Sequence, residues 1–407
     1  MYFTFAWRYF KAKKSANAIN IIAWVTVGVI AFAVACQILV LSVFNGFEDL
    51  VKSLYASFYT DIKIIPSKGK TCILTPAQLL TIKNQPGVEI VSLIAQEKSL
   101  LQHDDQQSIV YLKGVDDNYR YATGVAANIV EGKYNTGSAD APGLLLGAGI
   151  QNATGVIVDG AIQSAGLTII LPKKIKISAA NPMEALSEGN AIATGVFAIQ
   201  QDFDNKYAIT NIDFVKQQMG FLTDEYSAVE IKLKDKTNIA QTQKLLAGLL
   251  GKRFTVQTKY EQNSSLYNTM KMEKWVIYAV LTLVLLVSAF TMVSALTMLV
   301  LEKQKDISVL QSMGADKAMI QKIFLSEGLL LGSIGALAGI LMALLICFLQ
   351  LKYKLIKLQG GSFLIDYFPV KIHLPDFLLV TSTVAVITFL ASWLPARKAA
   401  NQPFELR

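Results

Sequence analysis

The sequence predicts a membrane α-helical protein, with four transmembrane helices and a large α+β domain inserted between helices 1 and 2. Three observations predict it. The chain of 407 residues is 53% hydrophobic but only 17% charged. A soluble domain carries about 25% charged residues, so lipid has to form part of the solvent. Four windows, 19–44, 275–301, 328–350 and 377–394, contain no Asp, Glu, Lys or Arg. Each is close to or beyond the ~20 residues that cross a hydrocarbon core. Finally, residues 45–274 break with that pattern and read as mixed strand and helix.

The segment 1–18 sets the orientation. Arg8, Lys11, Lys13 and Lys14 precede the first window without an acid, and Glu48 and Asp49 follow it. The positive-inside rule then places the N-terminus in the cytoplasm and the domain outside. Four crossings return 395–407, with Arg397, Lys398 and Arg407, to the cytoplasm. The loop 351–376 carries Lys352, Lys354, Lys357 and Lys371 on the outer side, against the rule; the first helix usually dominates. Ala33-Val34-Ala35-Cys36 resembles a lipoprotein cleavage box, but the apolar run continues past the cysteine through Ile38–Leu41. Phe3, Phe5, Trp7 and Tyr9, interleaved with Arg8, fit a short helix or extended arm in the headgroup layer.

Within the insert, alternation and β-branching predict strands at 61–66, 88–95, 108–114, 167–171, 191–198 and 228–233. Helices are predicted at 211–219 and 239–250. The polar stretch 261–274 lacks Pro and Gly and runs into the second window, which predicts a helical stalk continuous with it.

Catalytic chemistry finds little support. Cys36, Cys72 and Cys347 form no CxxC pair, and His103 and His373 form no HExxH, so no metal site is expected. Gly69-Lys70-Thr71 mimics the end of a phosphate loop, but position 64 is Ile64 where that loop needs glycine, so a turn is expected. No GxSxG occurs, and the four window cores hold no ionisable residue that could relay protons. The net charge of +8 is read as membrane orientation, not as a nucleic-acid surface. The chain is therefore expected to be no enzyme and to hold no cofactor.

Energy would have to enter from a partner, and 302–327 is the segment placed to receive it. Glu302, Lys303, Gln304, Lys305 and Asp306 open it, and Ile307, Leu310 and Met313 follow at a spacing that gathers them on one helical face. Gly314 reads as the C-cap, with Ala315 after it. A surface helix and a docking helix both fit this spacing. In the third window Gly328, Gly332, Gly335 and Gly339 form small-xxx-small pairs, which suit close packing within the chain or dimerisation.

Leu41-Ser42-Val43-Phe44-Asn45-Gly46-Phe47-Glu48, Met272-Glu273-Lys274, 301–315 and Leu394-Pro395-Ala396-Arg397 with Pro403 and Leu406-Arg407 resemble hallmarks of lipoprotein-releasing ABC permeases of the LolC/LolE type. Leu112-Lys113-Gly114-Val115-Asp116 and Leu145-Leu146-Gly147 fit the outer domain. The glycine-rich window is shared with the wider FtsX-like and MacB-like permease superfamily. The resemblance implies a periplasmic domain of two α/β subdomains, in a protein of the bacterial inner membrane. It implies a second permease subunit, the same or different, and a dimer of cytoplasmic ABC ATPase subunits that bind ATP and magnesium. It implies a lipoprotein substrate taken from membrane lipid into a cavity bordered by Val43, Phe44, Asn45 and Phe47. A soluble periplasmic carrier would receive it at a docking hairpin near 172–190, where Pro182 and Met183 fit the tip, and 302–315 would form the coupling helix. Two other readings stay open: an exporter of amphipathic toxins or antibiotics, and a signalling protein that activates periplasmic cell-wall hydrolases.

Overall fold

The computed structural model describes residues 17–158, 166–174, 185–234, 237–358 and 367–402. The chain divides into two compact units, Met1–Leu50 with Asn268–Arg407, and Val51–Tyr267. The basic N-terminal cluster, Pro182 and Met183, and Pro403–Arg407 lie outside the described residues.

Among the described residues four helices are long and apolar enough to cross a membrane. They run over Asn17–Phe58, Ser264–Glu302, Lys317–Tyr353 and Leu374–Ala400, and are called the first to fourth spans below. Each outruns its charge-free window, because backbone hydrogen bonding continues after the side chains turn polar. The first passes straight through Asn45-Gly46. The stalk joins the second span from Ser264 onward, while Lys259–Gln262 is a separate turn of helix, capped by Thr258 and Glu261.

The first span lies at the centre of the membrane unit. Val27, Ile30, Val34, Ile38 and Leu41 repeat at helical spacing and are all buried, against Leu285, Met292, Leu331, Ala343, Val380 and Val384. Lipid gives apolar helices no hydrophobic reason to associate, so close fit has to hold them. The four glycines supply that fit inside the chain. A Cβ on Gly332 would stand 2.2 Å from Thr388, and one on Gly328 2.1 Å from Ser392, both on the fourth span. A Cβ on Gly335 would meet Ile30 at 2.9 Å, and one on Gly339 the Ala31 carbonyl at 2.5 Å, both on the first.

Among the described residues the other unit holds twelve strands: β1 Ile62–Pro66, β2 Cys72–Ile73, β3 Val88–His103, β4 Gln106–Val115, β5 Ile129–Gly132, β6 Gly143–Gly147, β7 Gly166–Pro172, β8 Leu186–Phe197, β9 Tyr207–Asn211, β10 Glu225–Tyr226, β11 Ala228–Leu233 and β12 Phe254–Thr258. Ten of them form one sheet, nine in the order β12-β1-β11-β3-β4-β9-β6-β8-β5 and β7 off that path. β7 pairs with both β3 and β8, so β3, β4, β9, β6, β8 and β7 close into a ring. The two expected subdomains are thus not separate sheets. One apolar core holds Ile62, Ile64, Leu112, Leu144, Leu146 and Ile231; another gathers Phe58, Tyr119, Phe197 and Phe203.

The helix Ile212–Met219 follows its cap chemistry. The Asn211 side chain accepts from the amides of Asp213 and Phe214, and Gly220 ends the helix at φ +70°. β3 runs eight residues beyond the expected 88–95, through Gln96–His103, and turns into β4 at Asp104, whose φ is +50°.

Candidate functional site

Three places carry the sequence-predicted residues: the 42–49 segment of the first span, the segment after the second span, and the hairpin of β7 and β8. At the first place Asn45 is buried, and its side-chain amide is bonded at both ends within the chain. Its Nδ2 donates to Asp376 Oδ2 at 2.6 Å, and its Oδ1 accepts from Lys274 Nζ at 2.8 Å. Lys274 and Asp376 close the ring with an ion pair at 3.0 Å. These three side chains come from the first, second and fourth spans. Asp376 sits in the first turn of its helix, where the positive end of the helix dipole favours a carboxylate.

The next residues extend the same contact. A Cβ on Gly46 would stand 2.3 Å from the Pro369 carbonyl oxygen, so this position admits only glycine without displacing that backbone. Phe47 packs edge to face on Phe368, with ring centroids 5.7 Å apart. The Lys371 amide donates to the Ser42 carbonyl at 2.9 Å, and its ammonium pairs with Asp49 at 2.6 Å. Gln350 ties down the preceding loop through Ile356 and the Phe368 carbonyl. Of the four residues expected to border a cavity, Asn45 and Phe47 are therefore committed to partners in their own chain. Val43 and Phe44, both half-buried, remain as surface.

After the second span a short helix, Gln304–Ser312, is closed by Gly314 at φ +91°, with the Ala315 amide bonded back to the Leu310 carbonyl at 3.0 Å. Lys303 and Asp306 pair at 2.7 Å across its first turn. Glu302, Gln304 and Lys305 are exposed. The expected docking stripe is redrawn here. Ile307 is buried with Leu299, Val300, Ile320, Phe324, Ala396 and Ala399, and so holds the helix to its own bundle. Leu310 is half-buried, while Val309 and Met313, one helical turn apart, are 54% and 78% exposed. Of the expected stripe, Ile307 faces the bundle, Leu310 lies between, and Met313 shares the exposed surface with Val309.

The third place is the antiparallel pair β7 and β8, in register from Gly166↔Ile192 to Pro172↔Leu186. Its root is anchored. The Lys173 amide bonds Ala185 O at 2.7 Å, and the Lys174 amide bonds Met219 O at 3.0 Å. The Lys174 ammonium pairs with the buried carboxylate of Glu225, which also accepts from Thr71 Oγ1 at 2.5 Å and the Leu222 amide at 3.2 Å. Burial alone would raise the Glu225 pKa, but these hydrogen bonds outweigh it and hold the group below the ordinary carboxylate value. Sequence reasoning missed Glu225, whose signal is spatial: its partners lie about 50 and 150 residues away.

The groups tested for catalysis are structural. Gly69 is in a turn at φ +85°, Lys70 pairs with Glu97 at 2.8 Å, and Thr71 serves Glu225. His103 Nδ1 lies 3.1 Å from the Thr154 carbonyl. Among the described residues no group of three His, Cys, Asp or Glu could hold a metal ion.

The chain matches the model of the MacB-like periplasmic core domain over residues 23–249 and that of the FtsX-like permease C-terminal over residues 278–404. It belongs to the MacB-like periplasmic core domain family. Its likeness within that family is to the LolC/LolE type and runs the whole length. It is 26% identical to the lipoprotein-releasing system transmembrane protein LolC of Neisseria meningitidis, covering 98% of this chain and 96% of that one. With LolC of Xylella fastidiosa the figures are 26%, 98% and 96%. With LolE of Haemophilus influenzae they are 25%, 99% and 98%.

Proposed function

We propose that this chain is the permease subunit of a lipoprotein-releasing ABC transporter in the bacterial inner membrane. It extracts lipoproteins from the outer leaflet and passes them to a soluble periplasmic carrier. The observation that carries the reading is the whole-length likeness to LolC and LolE proteins, through both the large α+β unit and the span-bearing unit. The α+β unit is the periplasmic insert between the first and second spans, and both termini are cytoplasmic. The chain holds no cofactor of its own; ATP and magnesium belong to a dimer of cytoplasmic ATPase subunits, and a second permease completes the membrane portion.

Roles follow from surface and partner. Val43 and Phe44 border the acyl cavity, with Asn45 and Phe47 holding them in place. The Gln304–Ser312 helix meets the ATPase through Val309, Leu310 and Met313, and Ile307 seats that helix on the bundle. The segment joining β7 and β8, which contains Pro182 and Met183, meets the carrier. The test is reconstitution with the ATPase subunit in liposomes that hold a triacylated lipoprotein. ATP is expected to move the lipoprotein into the soluble fraction only when carrier is present. Val309→Asp with Met313→Asp is expected to abolish co-purification of the ATPase, because a charge facing an apolar groove costs several kcal/mol, on the order of the unpaired-charge penalty. Equal release of an unacylated protein, or release that ignores ATP, contradicts the proposal.

A further inference from the structure

The clasp of Asn45, Lys274 and Asp376 is not needed to cap or break the first and second spans, which run through Asn45 and Lys274 without interruption. Its position is specific. It ties the first span to the second and fourth at the segment that also presents Val43 and Phe44. Four further links join the same stretch to 368–371: Gly46 against Pro369, Phe47 on Phe368, and two bonds to Lys371. Bonds that reach one buried amide of the first span from the second and fourth leave the first span little freedom to part from the second.

We propose that Lys274 is a positioning residue for the acyl cavity, and that it makes these ends of the first, second and fourth spans one rigid body. The cavity then opens by movement of that body against the second permease, and not by separation of the first and second spans within one chain. This rests on the lipoprotein reading for the cavity's content, but the rigidity itself does not depend on the cargo. Lys274 touches no substrate in this account. It acts through Asn45, whose amide fixes the helical phase in which Phe44 is offered. An amide can donate from one end and accept at the other, so Asn45 is able to serve the pair with its charges exchanged.

The test uses the full chain assembled with its partner subunits in the membrane. It compares Lys274→Met, Lys274→Arg and the exchange Lys274→Asp with Asp376→Lys. Lipoprotein release is one readout. Another, independent of cargo, is the alkylation rate of Phe44→Cys by a maleimide, with the three native cysteines replaced. Lys274→Met is expected to assemble normally, to lose release, and to raise alkylation by about tenfold, the ratio set by one lost hydrogen bond to a charged group. Lys274→Arg and the exchange are expected to restore both readouts. Unchanged alkylation and release in Lys274→Met overturn the proposal, as does an assembled exchange variant that recovers neither. If the wild type releases no lipoprotein, the cargo reading fails while the alkylation series still decides the clasp. Should Lys274→Met fail to assemble, Asn45→Asp in the exchange background reads the same link.

Discussion

In the α+β unit the ammonium of Lys113 is almost wholly buried, 2.8 and 3.0 Å from the two oxygens of Glu230, 3.1 Å from the Tyr119 hydroxyl, and over the rings of Phe58 and Tyr119. In the membrane unit the ammonium of Lys274 faces Asp376 with both side chains partly open, 28% and 16% exposed. The first unit has water as its solvent, so apolar burial drives its collapse and can carry a desolvated ion pair inside a complete set of hydrogen bonds. The second unit gains nothing from apolar burial against lipid. Its interior is therefore held by glycine and small polar contacts, and its charged clasp stays at the rim. One unit is held by its core, the other by fit and by its ends.

That contrast breaks most visibly at Lys113. Lys113→Met leaves Glu230 buried with only Lys63, 3.6 Å away, and is expected to cost about 3–5 kcal/mol. Thermal unfolding of the full chain in detergent, followed by protease cleavage within residues 51–267, should show it. Adding Glu230→Leu should recover most of the loss, and a single-variant cost near zero would mean that the pair is not desolvated. In the membrane unit the matching lesion is steric. Gly332→Val places a methyl-bearing carbon into Thr388 and should cost about 1–3 kcal/mol. Heat resistance of the purified permease is the measure, and partial rescue by Thr388→Ala would confirm the contact.

Smaller effects sharpen the same comparison. The folded pKa of Glu225 is depressed, so its contribution is present above the ordinary carboxylate pKa and is lost as pH falls through the depressed native value. Amide exchange at Lys173 and Lys174, corrected for its intrinsic pH dependence, should therefore accelerate in acid, and Glu225→Gln should remove that dependence. At the bottom of the scale, Gly28 is exposed on the first span with nothing within 4 Å of a Cβ. Gly28→Ala should raise heat resistance slightly, by no more than about 0.5–1 kcal/mol. The two glycine substitutions together separate packing from helix propensity.

Much of this was legible in the sequence, and what was missed has physical causes. The spans announce themselves because charge is expensive in hydrocarbon, and the helix Ile239–Leu250 coincides with its expected bounds because Asn238 caps it. β6, Gly143–Gly147, was not foreseen: all five residues are buried, so no alternation marks it. The second half of β3 was hidden by Gln96, Glu97 and Lys98, polar residues in the part of the strand, Ile94 to His103, that pairs with β4. At the site, sequence indicated Asn45-Gly46-Phe47 but not what they touch. Their partners are Lys274, Pro369, Phe368 and Asp376, more than 200 residues away in every case. A helix does follow the second span where sequence placed one, but Ile307 of its expected stripe is buried, because spacing alone does not say which apolar stripe the bundle will take.

The most direct measurement places a photo-crosslinker at Phe44 in the assembled transporter and asks what it captures in the membrane. The account predicts an adduct with triacylated lipoprotein that disappears when ATP and a soluble carrier are added together. It also predicts little adduct with the same protein lacking its acyl chains. Capture of acylated and unacylated protein alike, or of neighbouring residues of the second span alone, would contradict acyl-chain handling at this site.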